Sequence, residues 1–279
     1  MGNGFDKISG HNYTLLINKN FRNAELEQAL TTGEKKLQER YELTPVISSD
    51  VSRVYKFTAI LDDKAKCFYF KQYLYRSAMD FIKHLVRSSR AKRAFQATQM
   101  LENNGFEAPV VVAMGEYKSS FLDRENFLVT FEAEDTKQIK QLIPESLENL
   151  TKEQLHDMRE LIRTFGRTVG RMHAVGIFHG DLRLGNVLVR REKDGWHFFL
   201  IDNERTRKFR RLPARLRLKN LVQANMLISD CITKTDRMRF FKSYLRQNID
   251  IHGRHKKLAN KVDTKTRERL RTKLPADRL

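Results

Sequence analysis

This sequence lacks long apolar runs, a leader-like start and more than two cysteines. No run of about 18 apolar residues occurs, so no membrane-spanning helix is predicted. The first residues do not follow the basic-then-apolar order of a secretory signal, and we therefore expect a cytoplasmic chain. Cys67 and Cys231 lie far apart, which predicts reduced core thiols instead of a disulfide framework or a zinc site. With 279 residues and 40% hydrophobic content, the chain can form one large or two small domains.

Acidic residues are scarce relative to basic ones, and the imbalance is concentrated late in the chain. There are 53 Lys and Arg against 34 Asp and Glu, a net charge of +19, of which +16 comes from residues 203–279. Such a charge attracts an anionic partner: a phosphorylated sugar, an anionic lipid surface or nucleic acid. No nucleic-acid-binding motif is recognised and aromatic residues do not alternate with basic ones, so we expect no nucleic acid partner. For residues 256–278, the composition is more typical of a solvated basic face and a frayed tail.

The chemistry-bearing part of the chain is a short motif followed by a predicted hairpin. His179-Gly180-Asp181 precedes Asn186, and apolar residues on both sides of an Asp-Gly pair predict a β-hairpin that ends at Asp202. A loop aspartate can orient an attacking hydroxyl and accept its proton, while Asn186 and Asp202 offer oxygens to a hard cation such as Mg²⁺. This order of residues is that of the catalytic and metal-binding loops in protein-kinase-like enzymes. The alternative is that all three are turn residues, because Asp and Asn are common in turns.

A small sheet is predicted upstream of this motif. Its strands are predicted at residues 53–60, 66–73, 109–114 and 126–131, from their β-branched, aromatic and apolar residues. Helices are predicted at residues 23–40, 88–105, 151–172, 215–228 and 236–247. In a kinase-like fold the helix at 88–105 would carry a Glu that pairs with a strand lysine, but the matching position here is Ala94.

Three positions around this sheet are candidates for nucleotide binding. Lys71 lies in the second predicted strand, where its ammonium would contact the phosphates of ATP; the alternative is an ordinary surface lysine. The loop before the first strand lacks the glycines of a phosphate cradle, but the hydroxyl and N–H of Ser49 could still meet a phosphate. Glu132 follows the last strand and begins a linker whose backbone would face an adenine.

The order of these parts resembles the lipopolysaccharide kinase family of Gram-negative bacteria, enzymes that phosphorylate Kdo or heptose in the inner core. The resemblance covers roughly residues 46–247. It rests on Phe70-Lys71, Ser89-Arg90-Ala91, Gly105 to Pro109, Met172-His173 with Gly176, HGDLRLGNVLV, LIDNERTR, and DRMRFF with Tyr244-Leu245. It implies ATP and Mg²⁺ as cofactors, Asp181 as catalytic base, Asn186 and Asp202 as metal ligands, and Lys71 as the phosphate-contacting lysine.

The chain departs from protein kinases at several places. Gly180 stands where they have Arg, Asn203 and Glu204 replace the last two residues of D-F-G, and no A-P-E segment follows. Gly180 and the missing A-P-E segment argue against a regulated protein kinase with a peptide groove. Glu204 could add a carboxylate to the metal site or could pair with Arg205 or Arg207. The missing Glu at Ala94 leaves reduced activity or a pseudokinase as an alternative.

We therefore predict an α+β, bilobal protein-kinase-like fold with a small β-rich N-lobe and a short helical C-lobe. Residues 1–42 would form an N-terminal extension, 43–135 the N-lobe, and 136–279 the C-lobe with a basic tail. The predicted reaction is ATP-dependent phosphorylation of a Kdo or heptose hydroxyl. The alternatives are another small molecule or a protein hydroxyl as acceptor, or a pseudokinase scaffold on an anionic surface.

The basic segment 205–219 is predicted to hold the anionic acceptor. Arg207, Arg210 and Arg211 are its candidate contacts with the lipopolysaccharide core or lipid A precursor. The same segment could instead rest on anionic lipid, which would make the protein peripheral on the inner face of the inner membrane.

Overall fold

A computed structural model gives the fold of the chain. It describes residues 4–31, 34–48, 50–74, 88–118, 124–144, 150–227 and 231–272. Of the helices in these ranges, none is long and apolar enough to cross a bilayer. The chain divides into two compact units, the first made of Met1–Gln99 and Pro109–Glu134, the second of Met100–Ala108 and Asp135–Leu279.

The first unit contains an antiparallel sheet. Its strands are β1 (Phe5–Ser9), β2 (Tyr13–Asn18), β3 (Thr44–Val46), β4 (Ser52–Leu61), β5 (Lys64–Tyr73), β6 (Val111–Lys118) and β7 (Arg124–Phe131). They pair in the order β1-β2-β6-β7-β5-β4-β3. The four predicted strands are confirmed as β4 to β7. The turn between β4 and β5 is made by Asp62 and Asp63, whose φ angles of 50° and 56° are tolerated by the short polar side chain of Asp.

Residues 1–42, which we predicted as an extension, contribute β1, β2 and two helices to this unit. The single helix predicted at 23–40 is two helices, α1 (Ala24–Leu30) and α2 (Glu34–Arg40). Leu26, Leu30 and Leu37 from these helices are buried with aromatic residues of the sheet in one core. The N-terminal segment is therefore part of the packed core of the first unit.

The predicted helix at 88–105 forms as α3 (Arg90–Glu102). Its buried residues Ala91, Ala94 and Phe95 pack with Met114 and Leu128 of the sheet. Ala94 is 1% exposed, so the position that carries Glu in kinases is a small apolar core residue here.

The second unit is mainly helical. Its helices are α4 (Ile139–Leu142), α5 (Lys152–Ala174), α6 (Ala214–Ala224), α7 (Lys234–Leu245) and α8 (His255–Arg271). Its strands are β8 (Lys137–Gln138), β9 (Ile177–Phe178), β10 (Val187–Glu192), β11 (Gly195–Leu200) and β12 (Arg207–Lys208). The predicted capping box of α5 is present, since Thr151 accepts from the N–H of Gln154 and the Gln154 side chain accepts from the N–H of Thr151. The predicted hairpin is β10 and β11, and β10 also pairs with β8.

Helix α8 was not predicted, because we expected residues 256–278 to form a solvated basic face and a frayed tail. Residues 255–271 are helical, and the charged side chains on the helix are mostly exposed. Leu258 and Val262 pack against the core of the second unit, and buried Thr266 accepts a hydrogen bond from Asn225. These three residues are four apart and so lie on one helical face, which the many intervening lysines obscure in the sequence. Residues 273–279 lie outside the described residues.

Candidate active site

The predicted catalytic and metal-binding residues come together at one end of the β10–β11 hairpin. The Nδ2 of Asn186 donates to the carbonyl oxygen of Asp181 at 3.0 Å. The N–H of Ile201 donates to the carbonyl of Asn186 at 3.1 Å, which brings Asp202 beside Asn186. Two backbone-anchored hydrogen bonds therefore join the Asp181 loop, Asn186 and the chain that enters Asp202.

Asp202 has a left-handed backbone, with φ of 63° and ψ of 44°. The conformation is one that the short polar side chain of Asp tolerates, and it is shared with Asp62, Asp63 and Asp135. It directs the chain from β11 into a turn of 3₁₀ helix at Asn203–Arg205.

His179 supports the loop from inside the protein. Its Nε2 lies 3.1 Å from Oδ1 of Asn203, whose Nδ2 donates to the carbonyl of Leu200, so the amide oxygen must accept and Nε2 must donate. Its Nδ1 accepts from the N–H of Asp181 at 3.2 Å. Complete burial lowers the pKa of His179, so the ring is neutral and has one donor and one acceptor, as these two bonds require. Asn203, a departure from D-F-G in the sequence, is the partner that orients this ring.

Gly180 is required by close packing. A Cβ built on Gly180 would lie 2.2 Å from the Cβ of Arg205 and 2.8 Å from its carbonyl carbon. No larger side chain fits there, which explains why the Arg of protein kinases is absent. Nearby, buried Glu204 lies 3.4 Å from Nε of Arg205, which is one of the two ion pairs considered for it.

Two side chains that sequence reasoning missed hold the carboxylate of Asp181. Arg183 donates from Nε to Oδ1 at 2.8 Å and to Oδ2 at 3.0 Å, and its Nη2 also contacts Oδ2. The hydrogen bond that Arg183 donates to Asp181 raises the pKa of Arg183. Gln223 of α6 donates from Nε2 to Oδ1 at 3.2 Å. One of these partners is exposed and the other is buried.

A buried polar network lies behind the loop. Arg217 of α6 donates from Nη1 to the hydroxyl of Tyr244 at 2.8 Å, and this hydroxyl lies 3.0 Å from Nδ1 of His173. Nε2 of His173 lies 3.2 Å from Oδ1 of Asn220, which also accepts from the N–H of His179. Burial lowers the pKa of His173 to about 3, so this ring stays neutral at physiological pH. Arg217, which we counted in the basic segment facing an acceptor, is instead a buried structural residue.

The candidate nucleotide-binding residues lie in the first unit. Lys71 is on β5 between Val54 of β4 and Leu128 of β7, and its Nζ lies 5.3 Å from the ring centroid of Tyr73. Arg90 contacts the same ring of Tyr73, with its guanidinium carbon 5.1 Å from the ring centroid. Arg90 also donates to the carbonyl of Val51 at 2.8 Å, so it braces the loop before β4.

Two further nucleotide-binding predictions have different outcomes. Ser49 lies outside the described residues; beside it, Ser48 donates to the carbonyl of Ser52 at 2.7 Å. The N–H of Glu132 donates to the carbonyl of Cys67 at 3.0 Å, and its carboxylate accepts from Lys56 at 2.7 Å. The N–H of Glu132 therefore belongs to the sheet, and a contact of this residue with adenine would use its carbonyl oxygen.

The candidate acceptor residues Arg207, Arg210 and Arg211 are exposed. Within the described ranges they form no ion pair with an acidic side chain, whereas neighbouring Lys208 bonds to Asn104. Their positive charge is thus directed to solvent just after the metal-site candidate Asp202.

The residues at the hairpin end fit a hard divalent cation. Nδ2 of Asn186 is bonded to the Asp181 carbonyl, which leaves Oδ1 as the oxygen that could bind a metal. Amide and carboxylate oxygens are the ligands that Mg²⁺ prefers, and Asn186 with Asp202 supplies one of each.

The second unit also contains a half-open, mainly apolar cavity of about 450 Å³. Its lining comes from α4 to α8 and includes Leu161, Phe165, Leu221, Met238, Phe241 and Val262. Cavities of this size bind molecules in many proteins. This cavity could not be predicted from the sequence, because its apolar residues have the spacing of ordinary core positions.

Comparison with known proteins supports the resemblance inferred from the motifs. The profile of the Lipopolysaccharide kinase (Kdo/WaaP) family matches residues 39–244. The chain is 28% identical over 164 residues to the lipopolysaccharide core heptose(I) kinase WaaP of Pseudomonas aeruginosa, an alignment that covers 57% of this chain. That alignment spans 60% of the length of the relative.

A solved structure, described as WaaP in complex with acyl carrier protein, has the same fold. The TM-score is 0.64 at 20% identity, and the match covers 91% of this chain and 98% of the other. The predicted α+β fold, with a β-rich N-terminal part and a helical C-terminal part, is thereby confirmed. Since the family profile matches well over half of the sequence, the chain belongs to the Lipopolysaccharide kinase (Kdo/WaaP) family.

Proposed function

We propose that this protein is a kinase that transfers the γ-phosphoryl group of ATP to a sugar hydroxyl of the lipopolysaccharide inner core. The observation that carries the proposal is the pair of hydrogen bonds that join Asp181, Asn186 and the chain entering Asp202. Family membership supports a lipopolysaccharide acceptor. Of Kdo and heptose, the name of the Pseudomonas aeruginosa relative favours heptose.

In this proposal Asp181 orients the acceptor hydroxyl. The hydroxyl oxygen attacks the γ-phosphorus as the bond to ADP breaks, and Asp181 accepts the hydroxyl proton. Asn186, through Oδ1, and Asp202 would hold Mg²⁺, which when bound neutralises charge on the phosphates. Catalysis of this type is mainly positioning and charge stabilisation, so a carboxylate held on two sides suits the role.

The first unit would bind the nucleotide. Lys71 would contact the α- and β-phosphates, and the Ser49 loop, which Arg90 braces through Val51, would cover them. The carbonyl of Glu132 would face the adenine. Residues 43–135, packed with residues 1–42 in the first unit, would then act as an N-lobe and 136–279 as a C-lobe.

Arg207, Arg210 and Arg211 would bind the anionic acceptor. They are exposed, and the core saccharide on its lipid A anchor carries the negative charge that such a cluster attracts. The same face would rest on anionic lipid of the inner leaflet and make the protein peripheral there.

The proposed function is tested by ATP consumption with Mg²⁺, with and without purified lipid A–core saccharide. We expect turnover that depends on both Mg²⁺ and the saccharide. ATP turnover on another hydroxyl compound alone would indicate a different acceptor. ATP binding with no turnover on any acceptor would indicate a pseudokinase, the alternative that buried Ala94 favours.

We also propose an acyl carrier protein as a partner. The solved structure of similar fold is described as a complex with one. The apolar cavity of about 450 Å³ supports the proposal, because it offers space for a carrier-bound acyl chain in the helical unit. Each methylene buried there would contribute about 0.8 kcal/mol.

Filling the cavity should weaken binding of an acylated carrier selectively. Ala224 lines the cavity, and Ala224→Phe is expected to reduce affinity for a long-chain acyl carrier protein by at least ~10-fold, with no change for the unacylated carrier. Titration calorimetry with both carriers measures this. Ala214→Phe at the exposed start of the same helix is the control. Equal affinity of the wild type for both carriers would contradict the proposal.

A further inference from the structure

We propose that Gln223 is a positioning residue for Asp181. Gln223 fixes one oxygen of the Asp181 carboxylate, so that the other oxygen faces the acceptor hydroxyl. This inference rests on the proposed function, because it assigns Asp181 as the base. It concerns a residue 42 positions from the motif, on a different helix.

The orientation of the Gln223 amide is determined by its three partners. Its Oε1 accepts from Nδ2 of Asn220 at 3.0 Å and lies 3.4 Å from the N–H of Leu182. Its Nε2 lies 3.2 Å from Oδ1 of Asp181. If the amide were flipped, its NH₂ would face the two donors of Asn220 and Leu182, and its oxygen would face the carboxylate of Asp181. The Nε2 donor is therefore directed at Asp181 by the surrounding bonds.

Gln223 is in turn held by Asn220, whose side-chain amide forms its full set of hydrogen bonds. Nδ2 of Asn220 donates to the carbonyl of His179 at 2.6 Å as well as to Gln223. Oδ1 of Asn220 lies 3.1 Å from the N–H of His179 and 3.2 Å from Nε2 of His173. All four hydrogen-bonding positions of this amide are used, and the residue is fully buried. Helix α6 therefore forms hydrogen bonds with the loop backbone at His179 and Leu182, on either side of Asp181, and also with the Asp181 carboxylate.

The two partners of the Asp181 carboxylate differ in how firmly they are held. The side chain of Arg183 is 56% exposed, whereas Gln223 is 6% exposed and bonded on both sides of its amide. An exposed ion pair exchanges readily with water or an incoming phosphate. Arg183 can therefore leave when substrate arrives, while Gln223 stays on Oδ1. Departure of Arg183 releases both oxygens, but Oδ1 keeps its bond from Gln223, so Oδ2 is the one that meets the acceptor hydroxyl.

The test is a kinetic comparison of Gln223→Leu, Gln223→Glu and the control Gln247→Leu. Gln247 lies in the same unit, with its side chain packed on Gly170 of α5. We expect Gln223→Leu to lower kcat by about 10–100-fold, the range for one hydrogen bond to a charged group, with KM for ATP unchanged. Gln223→Glu should lose more, because it replaces the donor with a second negative charge beside Asp181. Gln247→Leu should retain wild-type kcat.

A second readout separates this inference from the proposed function. Because Oε1 faces the N–H of Leu182, the Leu182 amide should exchange with deuterium faster in Gln223→Leu than in the wild type or Gln247→Leu. This holds whatever the acceptor is. If exchange at Leu182 is unchanged, or if kcat of Gln223→Leu stays within twofold of the wild type, the inference is wrong. A wild type that shows no phosphoryl transfer, with the exchange difference present, would contradict the function and leave the link between Gln223 and the loop established.

Discussion

Asp181→Asn is expected to lower kcat for phosphoryl transfer by about 10²–10⁴-fold and to leave ATP affinity within about twofold of the wild type. The amide of Asn is nearly isosteric with the carboxylate, but it cannot take up the proton of the sugar hydroxyl. It also places an NH₂ against the donors of Arg183 or Gln223, which now contact two oxygens. ATP affinity is retained because the residues assigned to ATP lie on the sheet of the first unit.

Turnover by Asp181→Asn is measured as acceptor-dependent ADP release, and ATP affinity by fluorescence titration. Asp194→Asn is the matched control. It makes the same change at an exposed aspartate of the β10–β11 hairpin, whose carboxylate contacts His197. We expect the control to retain full activity. Loss of ATP affinity together with turnover in Asp181→Asn would indicate a folding defect. A kcat close to that of the wild type would remove Asp181 from the role of base.

Arg210→Glu combined with Arg211→Glu is expected to raise the acceptor KM by roughly 100-fold at low salt, with KM for ATP unchanged. Each arginine is exposed and could form a charge-assisted hydrogen bond with a phosphate, worth about 1.5 kcal/mol or more. Reversal of both charges removes these bonds and adds repulsion. The difference between variant and wild type should shrink as salt is raised, because the interactions are exposed.

Lys35→Glu combined with Lys36→Glu controls for total charge. These exposed residues lie on α2 in the first unit, and their reversal changes the net charge of the protein by the same amount. We expect the control to keep the wild-type acceptor KM. If both double variants raise this KM equally, general attraction and not a defined contact at Arg210 and Arg211 accounts for acceptor binding.

The local parts of the site could be predicted from the sequence, because they lie close together in the chain. Asp181 and Asn186 are five residues apart, and the Asp-Gly turn determines which end of the hairpin Asp202 occupies. The strand of Lys71 was likewise predictable from β-branched and aromatic residues on both sides of a turn. In each case the information is contained in a segment of about 30 residues, as expected for supersecondary motifs.

The long-range partners could not be predicted in this way. Gln223 and Asn220 lie on a helix whose sequence shows only moderate amphipathicity, and nothing in it marks an amide that reaches a loop 41 or 42 residues earlier. Arg217 was grouped with exposed arginines because charge is visible in a sequence and burial is not. Its burial requires Tyr244, Asn248 and Asp250, which the chain supplies about 30 residues later.

Departures from a familiar motif were visible in the sequence, but their physical reasons were not. Gly180 is explained only by the 2.2 Å approach of a built Cβ to Arg205. Asn203 is explained by the bond to Nε2 of His179, which orients the ring that accepts the Asp181 N–H. Both substitutions serve the geometry of the loop, so their presence does not argue against an active site.

The most direct test of the central claim is the mass of the acceptor after incubation. Purified lipid A–core saccharide is treated with the wild-type protein, Mg²⁺ and ATP, and the saccharide is released and analysed by mass spectrometry with fragmentation. We predict one added phosphoryl group on a Kdo or heptose residue, absent when Asp181→Asn replaces the wild type. A saccharide of unchanged mass, under conditions in which ATP is bound, would contradict the proposal that this protein phosphorylates the lipopolysaccharide core.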